Sequence, residues 1–241
     1  MKNVLVTGAT RGLGLSIVKR LIEDGFFVIG TGRSETDAIR ALLDEDNKKF
    51  SFYPFDLEKV SDIYDLTAEI IQNHGHLYGL INNAALGIDG VLATMHASDI
   101  EKMIKVNVTA PITLAKYCAR SMMVAGKGGR IINISSIIAS TGFSGLSVYG
   151  ATKSSMEGFT RSLSREVGKK KITVNSIAPG YMKTDMTSGL EEKKLEQIKR
   201  RSPFGDLADV KDVAYGVSYL MSEGAGMVTG TILTIDAGST A

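Results

Sequence analysis

From end to end the chain alternates short, uninterrupted apolar runs with stretches whose apolar residues recur every three or four positions. That alternation constrains the fold more than any other feature. The runs are "VLVTG", "FFVIGTG", "FSFYPFD", "LYGLINNAA", "GRIINISS", "ITVNSIAPG" and "GTILTID". After the first of them, Leu13, Ile17, Val18, Leu21 and Ile22 fall on one helical face. Helical spacing returns over Val60–Asn73, Ile100–Val124, Ser147–Val167 and Val210–Met221, and a polar helix starts near Ser34, with Glu35 and Asp37 suited to its first turn. Pro111 lies near the middle of the second of these or marks a break in it. Strands apolar on both faces, joined by crossover helices, specify a parallel sheet of about seven strands with helices on both sides. No repeat or Pro- and Ser-rich linker divides the chain, so residues 1–241 read as one α/β domain. The exception to the alternation is the polar stretch 181–204, containing "GLEEKKLEQIKRRS", which is either a charged surface helix or a lid over a substrate.

Composition narrows the function. A net charge of +2 gives no general attraction to nucleic acid or to an acidic membrane. Cys118, the single cysteine, excludes an internal disulfide framework, and its place in the pattern Leu114, Ala115, Cys118 makes it a packing residue. The sequence enters its first strand pattern at once, and no apolar run approaches the roughly 18 residues of a spanning helix. A cytoplasmic location is expected.

"TGATRGLG" joins the first strand to the first helix, with glycines at 8, 12 and 14. Glycines there let the backbone turn tightly beside a pyrophosphate, and the helix start supplies oriented N–H donors. The strand–turn–helix context reads as a dinucleotide-binding Rossmann unit, doubly wound. Folds that bind NAD usually carry an acid at the end of the second strand for the ribose 2′-hydroxyl. Here that strand ends Thr31, Gly32, Arg33, without a carboxylate. A guanidinium grips a 2′-phosphate that an acid would repel, and Arg11 lies within the glycine turn. NADP(H) is the expected cofactor. Tyr149 and Lys153 stand one turn apart on a helix. From spacing alone they are either a surface pair or a phenol whose proton is made available.

In its order of motifs the chain resembles the short-chain dehydrogenase/reductase family over essentially its whole length. The matching pieces are "TGATRGLG", Asp56–Leu57, "NNAA" at Asn82–Ala85, Asn107 in "VNVTAP", Ser136 in "NISS", Tyr149-x-x-x-Lys153 and "PGYMKTDM" from Pro179. "NNAA" departs from the commoner "NNAG" by one methyl. The resemblance implies that Tyr149 protonates a carbonyl oxygen as hydride arrives from the nicotinamide, with Lys153 lowering the phenol pKa and binding the nicotinamide ribose. It implies that Ser136 bonds the same oxygen, its thirteen-residue distance from Tyr149 favouring it over Ser135. Asn107 would hold a relay water. The cofactor would contact Gly8, Thr10, Arg11, Gly12, Leu13, Gly14, Thr31, Arg33, Asp56, Leu57, Asn83 and Ala84. At the nicotinamide it would meet Tyr149, Lys153, Pro179, Gly180, Met182 and Thr184. Asp56 would face the adenine and Asn82 the adenosine ribose.

Other catalytic templates fit poorly. His74, His76 and His96 form no H-E-x-x-H, so no metal site is expected, and "GFSGLSVYG" is not G-x-S-x-G. His74 and His76 fall at a helix end, where capping or exposure explains them.

Within the family the pattern resembles most the bacterial 3-oxoacyl-acyl-carrier-protein reductases, which implies a 3-oxoacyl thioester substrate, an acidic carrier protein as partner and a homotetramer. Lys127 and Lys170 match basic docking positions of that group, with Lys169 and Lys171 thickening the patch, and Arg130 and "EKKLEQIKRR" adding positive potential. Other carbonyl substrates share the chemistry: acetoacetyl-CoA, polyketide-type chains, sugars, steroids and small ketones. A non-catalytic dinucleotide sensor is the alternative of a different class, disfavoured because Asn107, Ser136, Tyr149 and Lys153 are all present.

Overall fold

The computed structural model describes residues 1–44, 49–182 and 192–241. Its seven strands are β1 (Asn3–Thr7), β2 (Phe27–Gly32), β3 (Phe50–Pro54), β4 (Leu77–Asn82), β5 (Gly129–Ile134), β6 (Ile172–Pro179) and β7 (Ile232–Ile235). They form one sheet in the order β3-β2-β1-β4-β5-β6-β7, with every pairing parallel. The helices are α1 (Gly12–Glu23), α2 (Asp37–Asp44), α3 (Ile63–His74), α4 (Ala97–Ile104), α5 (Ala110–Ala125), α6 (Ile138–Thr141), α7 (Ser147–Val167), α8 (Glu192–Lys199) and α9 (Val210–Met221).

The strands read as unbroken apolar runs because both of their faces are covered. Val4 and Val6 point to the layer of α1 and α9, meeting Ile17, Val18 and Leu21 of α1 and Val213, Val217 and Leu220 of α9. Leu5, between them, points to the layer of α3, α5 and α7, among Ile63, Ile70, Leu114, Cys118 and Val167. The period-2 alternation therefore sorts adjacent residues into two cores. Cys118 is fully buried in the second core, and burial pushes its thiol up to about 12, so it packs as a protonated side chain.

The expected helix over Ile100–Val124 is interrupted. α4 and α5 are joined by a wider, π-type turn at Lys105–Thr109, and Pro111, which has no N–H to give, follows directly after it in the first turn of α5. Likewise the helix expected from Val60 begins as a 3₁₀ turn, Val60–Asp62, ahead of α3. Of the stretch 181–204, the charged helix is α8, and 183–191, on which the lid reading rests, lies outside the described residues.

The chain runs outward from β1 to β3, then returns to place β4 on the other side of β1. That reversal opens a crevice beyond the C-terminal ends of β1 and β4, where open α/β sheets take their ligands.

Candidate active site

The glycine loop leaves β1 at that crevice. Gly8 has φ +65°, a left-handed conformation, and a Cβ on Gly14 would lie 1.9 Å from the Gly8 carbonyl oxygen. Only a residue without a side chain lets α1 start so close beneath the loop. No acid occupies the first turn of α1, and the Arg11 side chain does not cap it, so its N–H groups suit an anion. Two elements brace the cradle. The Thr7 hydroxyl accepts the backbone N–H groups of Asn83 and Ala84, both at 3.0 Å, and the Asn83 amide donates to the carbonyls of Thr7 at 2.9 Å and Gly8 at 3.3 Å. On the other side Ala9 N donates to the Thr31 carbonyl at 3.1 Å, and the Thr36 hydroxyl to the Thr10 carbonyl at 3.1 Å.

Several expected contacts also serve as supports. Thr31 is only 1% exposed and Asn83 uses its amide on the loop backbone, so both brace the cradle. Leu13 belongs to the core beneath it. Asn82 does not face the ribose: it is buried, its amide donating to Asn133 Oδ1 at 2.9 Å and toward the Pro111 carbonyl at 3.4 Å. A side chain at the end of a doubly covered strand points into a layer as readily as into the crevice. The exposed Arg11 and Arg33 do lie at the crevice, with Asp56 and Leu57 past the end of β3. Asp56 holds a tight turn by accepting Glu58 N at 3.0 Å. Thr7, which joins the ends of β1 and β4, was not singled out from the sequence; its place before the first glycine was the only signal.

The second group gathers beyond β5 and β6. Ser136 lies two residues past β5, accepts Ile138 N at 3.2 Å and hydrogen-bonds Tyr149. Ser135 instead donates to Glu157 Oε1 at 3.0 Å and the Lys153 carbonyl at 3.3 Å. The two serines are thereby separated: Ser136 meets the phenol, and Ser135 ties β5 to α7. Tyr149 is in the first turn of α7, and a Cβ added to Gly87 of the loop after β4 would lie 3.8 Å from its ring. One turn on, the 4% exposed Lys153 donates to the Ile134 carbonyl at 2.8 Å, its Nζ 5.6 Å from the centre of the Tyr149 ring. Pro179 and Gly180 end β6 alongside, the Pro179 carbonyl accepting Ile137 N, and Met182 bridges to Ala208. Thr184 lies outside the described residues.

Burial pushes Tyr149 up to about 12, only partly opposed by the Ser136 hydrogen bond. Burial also brings Lys153 down to about 8. The ammonium is directed at a backbone carbonyl, and two partly desolvated groups each favour their neutral form. Asn107 sits in the π-type turn and is 3% exposed; its side chain spans Leu86, accepting from its N–H at 2.7 Å and donating to its carbonyl at 2.8 Å.

The crevice thus offers an anion cradle, a phenol–hydroxyl pair able to hold one oxygen, and a buried ammonium bonded to the Ile134 carbonyl. These residues fit a nicotinamide dinucleotide: Gly12, at φ +51°, leaves open space at the start of α1, and Lys153 is a donor that suits ribose hydroxyls. Lys127 and Lys170 are elsewhere. They precede β5 and β6, and Gly129 N donates to the Lys171 carbonyl at 3.2 Å, so the lysine cluster lies at the sheet edge opposite Tyr149. His74 bonds the Tyr53 hydroxyl at 2.9 Å and His76 the Ser121 hydroxyl at 3.3 Å, both as structural groups.

Comparison with known proteins agrees with this geometry. The family model for short chain dehydrogenase matches residues 2–195. A 3-oxoacyl-[acyl-carrier-protein] reductase, FabG, of Haemophilus influenzae is 38% identical over 239 residues, covering 98% of this chain and 97% of that protein. Carbonyl reductase family member 4 of Xenopus tropicalis is 35% identical over 233 residues, covering 97% of this chain and 95% of the relative. Among solved structures, a mutant short-chain dehydrogenase/reductase from Serratia marcescens superposes with a TM-score of 0.92 at 30% identity, covering 100% of this chain and 98% of that one.

Proposed function

The chain belongs to the short-chain dehydrogenase family, an oxidoreductase of C=O and CH–OH groups, and from that premise we propose that it reduces 3-oxoacyl thioesters with NADPH. The observation that carries the reading is the convergence of Ser136, Tyr149 and Lys153 beside the glycine cradle. When bound, the reduced nicotinamide supplies a hydride. The N-terminus of α1 and the Gly8–Gly14 loop hold the pyrophosphate, while Arg11 and Arg33 hold the 2′-phosphate. Ser136 and Tyr149 grip the substrate oxygen, and Tyr149 gives it a proton. A phenol held near 12 keeps its proton at neutral pH, the state a general acid needs, and still loses it to the more basic alkoxide formed from a ketone. Lys153 orients the ribose and replaces the proton, and Asn107 holds a water in that relay.

Similarity over nearly the whole length to a protein named as a 3-oxoacyl-[acyl-carrier-protein] reductase supports delivery on an acyl carrier protein. The 21 residues of α7 span about 30 Å, so Lys127 and Lys170 are too far from Tyr149 to guide a carrier protein to their own site. Docking there serves a second protomer, its long helices antiparallel to these, which ties the partner to a homotetramer. Exposed Ile112, Met123 and Val124 on α5 support such pairing. A single cytoplasmic domain fits this role, and among the described residues no helix is long and apolar enough to cross a membrane. The similarity to a carbonyl reductase favours, as a second reading, a free ketone substrate.

Purified protein assayed with an acyl-carrier-protein thioester, acetoacetyl-CoA, a small ketone and a sugar separates these. The expected result is oxidation of NADPH at least tenfold more efficient than of NADH, fastest with the thioesters. Equal use of NADH, or preference for the sugar, overturns it.

A further inference from the structure

Thr152 is 2% exposed and stands between the two residues expected to do the chemistry on α7. Its hydroxyl donates to the Tyr149 carbonyl at 2.7 Å and accepts from Asn107 Nδ2 at 3.1 Å. The same Nδ2 donates to the Leu86 carbonyl, while Oδ1 accepts Leu86 N. These contacts leave one orientation for the Asn107 amide. Leu86 N–H requires an oxygen opposite it, Leu86 C=O requires a nitrogen, and the hydroxyl, having given its proton to Tyr149 C=O, presents a lone pair to the second amide hydrogen.

We propose that Thr152 is a positioning residue that couples the π-type turn to the catalytic helix: through its hydroxyl it fixes the Asn107 amide and ties it to the backbone of Tyr149. The π-type turn supplies the reason for such a tether. An i→i+5 turn widens the helix and gives up part of the regular ladder, so Asn107 is held by side-chain bonds instead. Three separate segments meet there: the loop after β4 through Leu86, the turn between α4 and α5, and the first turns of α7. A buried network with each member satisfied holds one geometry, and removing a member leaves a buried donor unmatched. The inference rests on the reading of Tyr149 as the proton donor.

The test is steady-state reduction of acetoacetyl-CoA by NADPH in Thr152→Val, Thr152→Ala and Thr152→Ser, with Asn107→Ala and the Asn107→Ala/Thr152→Val pair. Val keeps the volume and loses the hydroxyl; Ser keeps the hydroxyl. The expected result is kcat about tenfold lower in Val and Ala, KM for NADPH within twofold, and Ser within twofold of wild type in both. In the Asn107→Ala background Thr152→Val adds less than a further twofold, because the effect passes through Asn107. Wild-type kcat in Val and Ala overturns the proposal, as does a full tenfold loss on top of Asn107→Ala or a Ser variant as impaired as Val. Failure of both Val and Ala to give a cooperative unfolding transition also overturns it, since Thr152 is then a core residue only. If wild type itself reduces no ketone, the functional reading fails instead, which the wild-type assay reports separately.

Discussion

The two edges of the sheet carry similar residues and treat them differently. At the edge where the strands begin, Lys2 pairs with Glu223 at 3.3 Å and lies over the Tyr78 ring, and Ser218 donates to Asp24 at 2.6 Å. There Arg130 donates to the carbonyls of Gly129 and Ser222. A shallow cavity of about 370 Å³ opens among Lys2, Asp24, Phe26, Ser218 and Glu223, yet its charges already answer one another. At the edge where the strands end, Lys153 is buried against the Ile134 carbonyl, Tyr149 is held far from its ordinary pKa, and a helix start faces a glycine loop. The comparison teaches that a cavity or a charge does not locate function. Ionisable groups buried beside a glycine loop do, because burial disfavours their charged forms.

Substitutions at the two edges break or sharpen this contrast. The largest effect is expected from Gly14→Ala, whose new Cβ meets the Gly8 carbonyl oxygen at 1.9 Å. Displacement of the loop should weaken NADPH binding by about 100-fold, read by nucleotide fluorescence titration. Wild-type affinity would show that the cradle has slack.

Next is the buried lysine. Its pKa is lowered to about 8 in the folded protein from 10.5, so between these values the unfolded chain binds more protons and stability rises with pH. Lys153→Met should therefore raise Tm by several degrees at pH 7, with its advantage over wild type shrinking from pH 8 to pH 10. Above pH 10 the Tyr149 shift, upward to about 12, acts in the opposite direction, because the unfolded phenol ionises first. A pH-independent difference between the two proteins would contradict the burial account.

The smallest effect belongs to the other edge. Lys2→Gln removes an exposed pair and should change stability by less than about 1 kcal/mol, leaving kcat within experimental scatter. A fall in kcat there would erase the distinction.

How much of this was legible in the sequence follows from what is local. Strand count, parallel order and two-layer cover come from apolar runs and helical faces, and the cradle and the Tyr149–Lys153 pair depend on spacings of a few residues. Asn107 was legible as a polar break in an apolar helix, but not as the centre of a π-type turn, since a 3.6-residue period carries no mark of one wider turn. The inward rotation of Asn82 was hidden because a doubly buried strand shows no polar face to orient it. The upward push of burial on Tyr149 required the packing around it. The position of Lys127 and Lys170 was readable, because residues just before a parallel strand lie at the end of the sheet away from the ligand.

Replacing Tyr149 by Phe tests the account most directly, with NADPH oxidation on acetoacetyl-CoA and nucleotide affinity measured on the same preparation. The expected result is a fall in kcat of about 1,000-fold with the nucleotide dissociation constant within threefold of wild type. Turnover retained at the wild-type rate would contradict it, and would move the proton source to another group in the crevice.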